Sequence, residues 1–264
     1  MKEIIEIDSM FGKIKTFKND LITDQIIKFG NHTRPEFAFA TSIISKEFNI
    51  FDLGAHIGTF TLKAIRKIDS KSKLLAVEAD KDNYNILKQN TQNYQNVIQF
   101  NSFLGDINES YEFVKGSNNN SGGGSLIKIS NGKNKIYSID KLVEKFFEPD
   151  YLKIDIEGLE NKLVENSNYI IDNKPILYIE INNNALLKNN SSSKEFLKLL
   201  SDHGYHFFRN IGFRNANNDL YLSCYMHNIH DFPLSNIFDV LCICKNNIIY
   251  DYLFKSSVKI NKNK

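Results

Sequence analysis

The stretch FDLGAHIGTF, residues 51–60, joins a short apolar run to a turn that contains two glycines and a histidine. A strand ending at Asp52, followed by this turn and a helix, would direct backbone N–H groups toward a ligand at the carboxyl edge of a sheet. A G-x-G-x-x-G dinucleotide fingerprint is absent, because the third and sixth places counted from Gly54 hold His56 and Thr59. No Gly-Lys-Ser/Thr follows, so a phosphate-binding P-loop is excluded as well.

The pattern present is D-x-G-x-x-x-G, with Glu78 twenty residues after Gly58 at the end of the next predicted strand. An acid there is placed to accept hydrogen bonds from both hydroxyls of a ribose. S-adenosylmethionine, a nucleoside cofactor without pyrophosphate, fits the combination of this glycine turn with Glu78. Its adenosine would lie along Glu78 and its amino-acid end against residues 54–58. Asp52 would offset the cofactor's ammonium charge, directly or through water. The alternative is that Gly54 and Gly58 only form a tight turn.

Apolar runs recur along the chain without strict alternation, which is typical of strands covered on both faces. Helical periodicity over residues 59–68 and 80–90 separates the early runs, and this alternation predicts βαβ units. The fold class is therefore α/β, a doubly wound, mainly parallel, Rossmann-like sheet, with a short N-terminal extension over 1–34 before a domain over 35–264. The predicted strands are 48–53, 73–79, 97–104, 151–156, 176–181, 205–210 and 238–245.

Two segments depart from the alternation. Turn residues after Leu104 predict a hairpin that joins strand 97–104 to YEFV, residues 111–114. The segment KGSNNNSGGGSL, residues 115–126, has the composition of a flexible surface linker.

The composition limits the class of partner. The chain has 33 basic and 31 acidic side chains, which gives a formal charge of +2. A charge this small indicates neither nucleic acid nor an anionic membrane as a partner. The three cysteines, Cys224, Cys242 and Cys244, lack metal-ligand spacing and are expected to be buried thiols in a reducing compartment. No run approaches the roughly 20 apolar residues of a membrane span, so we expect a cytoplasmic protein.

Several blocks in order, from about Pro35 to Asn183, resemble the FkbM-type methyltransferases, a branch of the S-adenosylmethionine-dependent class I enzymes. The most specific block is YSIDKLVEKFFEPDYLKIDIEGLE, residues 137–160, because K-I-D-x-E-G after a T/S-x-D-x-L run is close to a family signature. The cofactor turn resembles the family's D-x-G-A-N-x-G, with His56 in place of Asn, and Ala79 replaces a frequent Pro. Further similar blocks are LLAVEADKDNYNILKQN (74–90), NSFLGDINESYEF (101–113), SGGGSL (121–126) and ILYIEIN (176–182).

The resemblance implies a class I methyltransferase domain over 35–264 and places Asn101, Ser102 and Phe103 beside the adenine. It also implies that SGGGSL is the family's small-residue loop, which replaces the linker interpretation. His56 is expected near the cofactor. The last eighty or so residues carry no motif that matches the family.

The resemblance further implies O-methylation, and a hydroxyl of a sugar or nucleotide-linked sugar in surface polysaccharide or glycoconjugate biosynthesis is the favoured acceptor. The alternatives are a non-sugar small molecule, a protein or RNA group, and a non-catalytic module that binds S-adenosylmethionine. A homodimer is possible, because residues 1–34 would either cover the cofactor or join a dimer interface.

Three acids are the candidate catalytic residues: Asp155 and Glu157 in KIDIEG, and Glu180 at the end of the next predicted strand. Period-two alternation would point Asp155 and Glu157 to the same side. Three roles stay open: a general base on the acceptor, ligands that hold acceptor hydroxyls, or ligands of a divalent metal that acidifies the hydroxyl. Lys153 is expected to be an ion-pair partner of Asp155 or Glu157.

Overall fold

The structure is a computed structural model that describes residues 2–107, 110–114, 121–129, 136–226 and 237–259. The strands are β1 (Ile4–Ser9), β2 (Gly12–Phe17), β3 (Ile50–Leu53), β4 (Leu74–Glu78), β5 (Val97–Asn101), β6 (Phe103–Leu104), β7 (Ser110–Val114), β8 (Ser125–Ile129), β9 (Ile136–Tyr137), β10 (Tyr151–Ile154), β11 (Ile176–Asn182), β12 (Tyr205–Asn210), β13 (Ser223–Met226), β14 (Ile237–Cys244) and β15 (Val258–Lys259). The helices are α1 (Leu21–Phe29), α2 (Arg34–Thr41), α3 (Thr59–Ala64), α4 (Lys81–Thr91), α5 (Ile139–Lys145), α6 (Glu160–Glu165), α7 (Asn168–Asn173), α8 (Asn183–Lys188), α9 (Ser193–Asp202) and α10 (Ile248–Ser256).

A nine-stranded sheet in the order β15-β13-β12-β14-β11-β10-β3-β4-β5 organises the described residues. The strands from β11 to β5 are all parallel, and β14 pairs antiparallel with both β11 and β12. The strand order reverses between β3 and β10, and ligands of doubly wound sheets bind at such a switch point. The predicted doubly wound, mainly parallel sheet is confirmed.

Burial on both faces explains the unalternated apolar runs. Every residue of β3, β4 and β10 is buried. Phe51 and Leu75 belong to one core cluster, whereas Ile50 and Leu74 belong to another. Because side chains of a strand alternate between faces, the two clusters lie on opposite sides of the sheet.

Element ends differ from the predictions where the backbone leaves regular structure. The run 97–104 divides into β5 and β6, and β6 pairs with β9 instead of forming a hairpin with β7. The β7 strand pairs antiparallel with β8, so the predicted partner of YEFV was wrong. The Asp80 side chain accepts hydrogen bonds from two backbone N–H groups of α4 and fixes where that helix begins.

The segment before Arg34 folds as the β1–β2 hairpin followed by α1. Asn90 joins it to the cofactor turn, because its side chain accepts from the Lys15 backbone N–H at 2.8 Å and donates to the Ile57 carbonyl at 2.9 Å. The N-terminal segment and the rest of the protein also share one apolar cluster, which consists of Ile14, Phe17, Ile22, Ile26, Ile57, Leu62 and Ile86. The division at residues 34 and 35 stays a prediction.

Two smaller expectations concern the cysteines and the membrane. Cys224, Cys242 and Cys244 are buried free thiols, as expected. Among the helices of the described residues, none is both long and apolar enough to cross a membrane.

Candidate active site

A cavity of about 1180 Å³ lies at the carboxyl ends of β3, β4, β10 and β11. The Glu78 half of this cavity is formed by residues 54–56, Glu78, Asn83, Ser102 and 121–124. The Glu180 half is formed by Lys153, Asp155, Glu157, Glu180, Arg214 and Asp239. One continuous space therefore joins the predicted cofactor turn to the predicted catalytic acids.

The two glycines of the turn have different surroundings. Gly54 lines the cavity at φ +83°, and a Cβ there would lie 1.8 Å from the carbonyl oxygen of Asp155. Gly58, at φ +93°, precedes α3 and faces Leu87, whose Cδ1 would lie 2.9 Å from an added Cβ. Gly58 thus allows close packing of α3 and α4, and it does not line the cavity.

His56 and Glu78 hold each other in place. The backbone N–H of His56, a residue at φ +51°, donates to the Glu78 carboxylate at 2.8 Å. The other Glu78 oxygen accepts from the backbone N–H of Asp80 at 2.9 Å. Burial raises the pKa of Glu78 to about 7. The oxygen that accepts from Asp80 also accepts a long hydrogen bond from the Asn83 carboxamide at 3.4 Å. The oxygen that accepts from His56 keeps accepting capacity for a further donor, such as a ribose hydroxyl.

The His56 ring connects the turn to the small-residue loop. Its Nε2 is 2.8 Å from the Ser121 hydroxyl, and the Ser121 backbone N–H donates to Asp20 at 2.7 Å. The segment SGGG thereby lines the Glu78 half, in line with the loop that the resemblance implies and not with a free linker.

Asp52 lies beneath the cavity and does not line it. Its side chain is fully buried, accepts a hydrogen bond from the Thr61 hydroxyl and lies 3.6 Å from Lys153 Nζ. Burial raises the pKa of Asp52. Asp52 is not among the residues that line the cavity, and Lys153 stands between its carboxylate and the cavity, so its predicted role toward the cofactor's ammonium group stays a prediction.

Of the three residues expected beside the adenine, Ser102 lines the cavity. Asn101 is exposed, and its carboxamide donates to the Glu78 carbonyl at 2.8 Å. Phe103 packs against Leu159 outside the cavity lining. Successive side chains of an extended segment point to opposite sides, so three consecutive residues do not all face one cavity.

Asp155, Glu157 and Glu180 converge, with one oxygen of each within 4.8 Å of the others. Strand alternation does not produce this arrangement, because β10 ends at Ile154. The Glu160 carboxylate instead accepts from the backbone N–H groups of Ile156 at 2.9 Å and Gly158 at 3.0 Å. This bonding folds the loop and places Glu157 at φ +57°.

Crowding changes the proton affinity of these acids. Burial and the neighbouring Asp155 raise the pKa of Glu157 to about 9 and that of Glu180 to about 8. Both groups therefore retain a proton near neutral pH and can donate hydrogen bonds as well as accept them.

Two cations neutralise part of the Glu180 half. Lys153 Nζ lies 3.1 Å from Asp155 and donates to the Gly54 carbonyl at 2.7 Å, which confirms its predicted partner role. Burial by itself would lower the pKa of Lys153. The negative charges of Asp155 and Asp52 outweigh this effect, so the pKa of Lys153 is raised overall. Arg214 donates to Glu180 and lies 2.9 Å from Asp239.

Arg214, Asp239 and His32 line the cavity but were missed in the sequence. Asp239 carried a signal, since it is an acid inside the apolar run of β14. Arg214 lies in an irregular loop, and His32 lies before the first family block.

The comparisons with known proteins address the family. A model of the FkbM methyltransferase domain matches residues 52–207, more than half of the 264 residues. The chain belongs to the FkbM methyltransferase family. This FkbM protein is thus an S-adenosylmethionine-dependent methyltransferase, and its sheet has the Rossmann-like order expected for the class. Comparison with curated proteins gave no match.

Solved structures similar to this FkbM protein are distant in sequence. Precorrin-6y C5,15-methyltransferase from Geobacter metallireducens is 12% identical, with 78% of this chain and 87% of that chain covered and a TM-score of 0.45. A putative O-methyltransferase from Klebsiella pneumoniae is 12% identical, with 79% of each chain covered and a TM-score of 0.44. Fibrillarin from Aeropyrum pernix, solved with natively bound S-adenosylmethionine, is 12% identical over 92% of this chain and 100% of that chain, with a TM-score of 0.44.

Proposed function

We propose that this FkbM protein transfers the methyl group of S-adenosylmethionine to a hydroxyl of a sugar or nucleotide-linked sugar, in surface polysaccharide or glycoconjugate biosynthesis. The observation that carries the proposal is the polar lining of the Glu180 half. Beside its carboxyl groups, Asn182, Asn184 and Asn189 also line the cavity, and the Asn182 oxygen and the Asn189 amino group bond to the backbone of α8. Carboxyl and carboxamide groups together offer donors and acceptors to adjacent hydroxyls of one ring.

The cofactor is proposed to lie in the Glu78 half. The carboxylate of Glu78 would accept both ribose hydroxyls, and the adenine would lie beside Ser102. The amino-acid end would lie against Gly54 and His56. Asp52 would act through Lys153, which it holds at the cavity floor.

Methyl transfer to oxygen is an in-line displacement at a carbon that the sulfonium already activates. The protein therefore has to align the acceptor with the methyl group, which is worth several kcal/mol (about 7–11 at best), and to remove one proton. Asp155, Glu157 and Glu180 are proposed to hold the acceptor hydroxyls. A protonated Glu157 or Glu180 can donate to the oxygen of a hydroxyl, and a carboxyl oxygen can accept its hydrogen.

The same three acids are also a candidate site for a divalent metal, since carboxylate oxygens suit Mg²⁺, Mn²⁺ or Ca²⁺. Asp155 and Glu180 already have cationic partners in Lys153 and Arg214, which favours the role in holding hydroxyls. Dialysis against EDTA, followed by assay with and without added Mg²⁺ or Mn²⁺, distinguishes the two roles.

The test is release of S-adenosylhomocysteine by the purified full chain from S-adenosylmethionine and a panel of nucleotide sugars, methyl glycosides, catechols and amines. Turnover with sugar hydroxyls, reduced at least about 10²-fold in Glu157→Ala because the acceptor is no longer aligned, supports the proposal. Turnover confined to catechols or amines would identify a non-sugar acceptor. Binding of S-adenosylhomocysteine without any turnover would indicate a non-catalytic module. The cytoplasmic location, the homodimer and the absence of a nucleic-acid partner stay predictions.

A further inference from the structure

Ser121 is the first residue of the small-residue loop, and its three polar groups are bonded to three different parts of the chain. Its backbone N–H donates to the Asp20 carboxylate at 2.7 Å, and its hydroxyl lies 2.8 Å from His56 Nε2. Its backbone carbonyl accepts from the Asn83 carboxamide at 3.2 Å. These bonds fix the start of the three glycines that follow it in the cavity lining.

Two of these three partners also bond to Glu78. The His56 backbone N–H donates to one Glu78 oxygen at 2.8 Å, and the Asn83 carboxamide donates to the other at 3.4 Å. The same two residues therefore position both the small-residue loop and Glu78. The third partner, Asp20, comes from outside the matched family domain, which begins at residue 52.

The Asp20 side chain is buried, with 1% of it exposed, and its two oxygens bond to different segments. One oxygen accepts from the Ile22 backbone N–H at 3.1 Å and caps α1. The other accepts from Ser121, and Lys2 Nζ lies 3.5 Å from it. One carboxylate thus fixes the start of α1 and the start of the small-residue loop together.

The segment that carries Asp20 is itself held in place. The Thr23 hydroxyl of α1 donates to the Phe17 carbonyl at 2.7 Å and lies 2.6 Å from the Thr16 hydroxyl, so α1 is bonded to β2. The Asn90 side chain bonds β2 to α4, the helix that also carries Asn83. A side chain supported in this way can determine the position of a loop.

We propose that Asp20 is a positioning residue for the cofactor, because it holds the small-residue loop beside Glu78. The inference rests on the proposed place of S-adenosylmethionine in the Glu78 half. Residues 122–124 line that half, and their backbone groups can bond to the cofactor only while the loop keeps its position. The N-terminal segment is then part of the cofactor site.

The binding test is calorimetric titration of the full chain with S-adenosylhomocysteine. Serine still caps a helix, but its single, shorter hydroxyl cannot bond to both Ile22 and Ser121. The Kd of Asp20→Ser should rise about 10- to 100-fold, because a hydrogen bond to a charged group is lost and the fraction of protein with the loop in place falls. Asparagine has one accepting oxygen for the two N–H groups, so Asp20→Asn should have an intermediate Kd.

The matched control is Asn247→Ser. Asn247 caps α10 by accepting from the Ile249 backbone N–H at 3.0 Å, and it lies outside the lining of this cavity. This variant replaces a helix cap in the same way and should keep the wild-type Kd. A wild-type Kd in Asp20→Ser would overturn the proposal. An equal rise of Kd in Asn247→Ser would also overturn it, because the loss of any helix cap would then weaken binding.

A second measurement uses the ligand-free protein. In hydrogen exchange followed by NMR, the Ser121 amide should be protected in the wild-type chain and in Asn247→Ser, and should exchange at least about tenfold faster in Asp20→Ser. An unprotected Ser121 amide in the wild-type chain would overturn the role of Asp20. If Glu78→Ala binds S-adenosylhomocysteine as tightly as the wild-type chain, the proposed place of the cofactor fails, while the exchange rates still decide whether Asp20 holds the loop.

Discussion

Gly54 and Asp155 approach so closely that a Cβ atom on residue 54 would lie 1.8 Å from the Asp155 carbonyl oxygen. Their strands, β3 and β10, are neighbours in the sheet, and the Asp155 backbone N–H donates to the Leu53 carbonyl at 3.0 Å. The cofactor turn and the acidic loop are therefore one packed unit at the strand ends. A displacement of one of them displaces the other.

Replacement of Gly54 by alanine should destabilise the protein and abolish binding of S-adenosylhomocysteine. A side chain at φ +83° costs about 1–2 kcal/mol, and the clash with backbone adds about 1–3 kcal/mol or more. Urea unfolding measures the loss. Gly204→Ala is the control, because Gly204 has φ +87° with nothing within 4 Å of an added Cβ. Equal losses in both variants would show that the clash is unimportant.

Replacement of Lys153 by methionine should cost about 3–5 kcal/mol, because it leaves Asp52 and Asp155 without their cation. Adding Asp52→Asn to this variant should recover part of the loss, since the fully buried carboxylate is then removed. Thermal and urea unfolding test both statements. Lys198→Met removes an exposed pair with Asp202 and should cost less than about 1 kcal/mol. A loss that small in Lys153→Met would contradict the structural role of the pair.

Binding of S-adenosylhomocysteine should weaken as the pH falls below 7. Burial raises the pKa of Glu78 to about 7, and the carboxylate form is the one that accepts two ribose hydroxyls. Each pH unit below 7 reduces the fraction of protein with an ionised Glu78 about tenfold, so the Kd for S-adenosylhomocysteine should rise about tenfold per unit. Calorimetric titration from pH 5.5 to 8 measures this.

Glu78→Gln should bind weakly and without this pH dependence. Glu144→Gln, which removes an exposed partner of Lys141, should behave as the wild-type chain. A steep pH dependence that persists in Glu78→Gln would assign the titration to another group.

The ligand-free protein should lose stability as the pH rises from 6.5 to 9. The folded-state pKa is about 9 for Glu157 and about 8 for Glu180, against about 4.3 in an unfolded chain. The folded state therefore binds more protons over this range, and the free energy of unfolding falls with pH by at most about 1.4 kcal/mol per unit for each group. His32 and His56, with pKa values lowered to about 3 and 4, are neutral in the folded state above pH 6.5. In the unfolded chain, where the histidine pKa is about 6.5, they lose their remaining protons by about pH 7.5, so their opposing contribution is confined to the start of the range.

Glu157→Gln should flatten this decline and be more stable than the wild-type chain at pH 8.5. Glu165→Gln, on the exposed side of α6, should leave the slope unchanged. Melting temperatures measured at a series of pH values compare the three proteins. A stability that rises from pH 6.5 to 9 would contradict the raised pKa values.

The sheet was predictable from sequence because burial on both faces dictates a local composition, and the apolar runs of β3, β4, β10 and β11 show that composition directly. Glu78 was also found by a local rule, its spacing from the cofactor turn. Such features need no knowledge of which distant segments meet.

The parts that sequence reasoning missed depend on contacts between distant segments. Asp155 and Glu157 converge because Glu160 binds two backbone N–H groups, and alternation along a strand was the wrong reason. His32 reaches the cavity because the hairpin and α1 pack against α3 and α4. No periodicity or motif in the sequence encodes that contact.

Arg214 provides the last prediction, because it is the cation that joins β11 to β14 at the Glu180 half. Its guanidinium donates to Glu180 and lies 2.9 Å from Asp239, so its loss removes the cation that lies between these two acids. Arg214→Met should therefore lower kcat/KM by about 10²-fold or more, since removing one member of a buried charge pair costs about 2–5 kcal/mol. Arg214→Lys keeps the charge but not the planar fork, and should recover only part of the activity.

The Arg214 variants should bind S-adenosylhomocysteine within about threefold of the wild-type affinity, because Arg214 lies in the Glu180 half and the cofactor is proposed for the Glu78 half. Arg66→Met is the control, since Arg66 donates to the Phe11 carbonyl outside the cavity lining and should leave both constants unchanged. A loss of cofactor affinity in Arg214→Met equal to its loss of kcat/KM would contradict the division into two halves. A loss of turnover alone would place Arg214 with the groups that orient the acceptor.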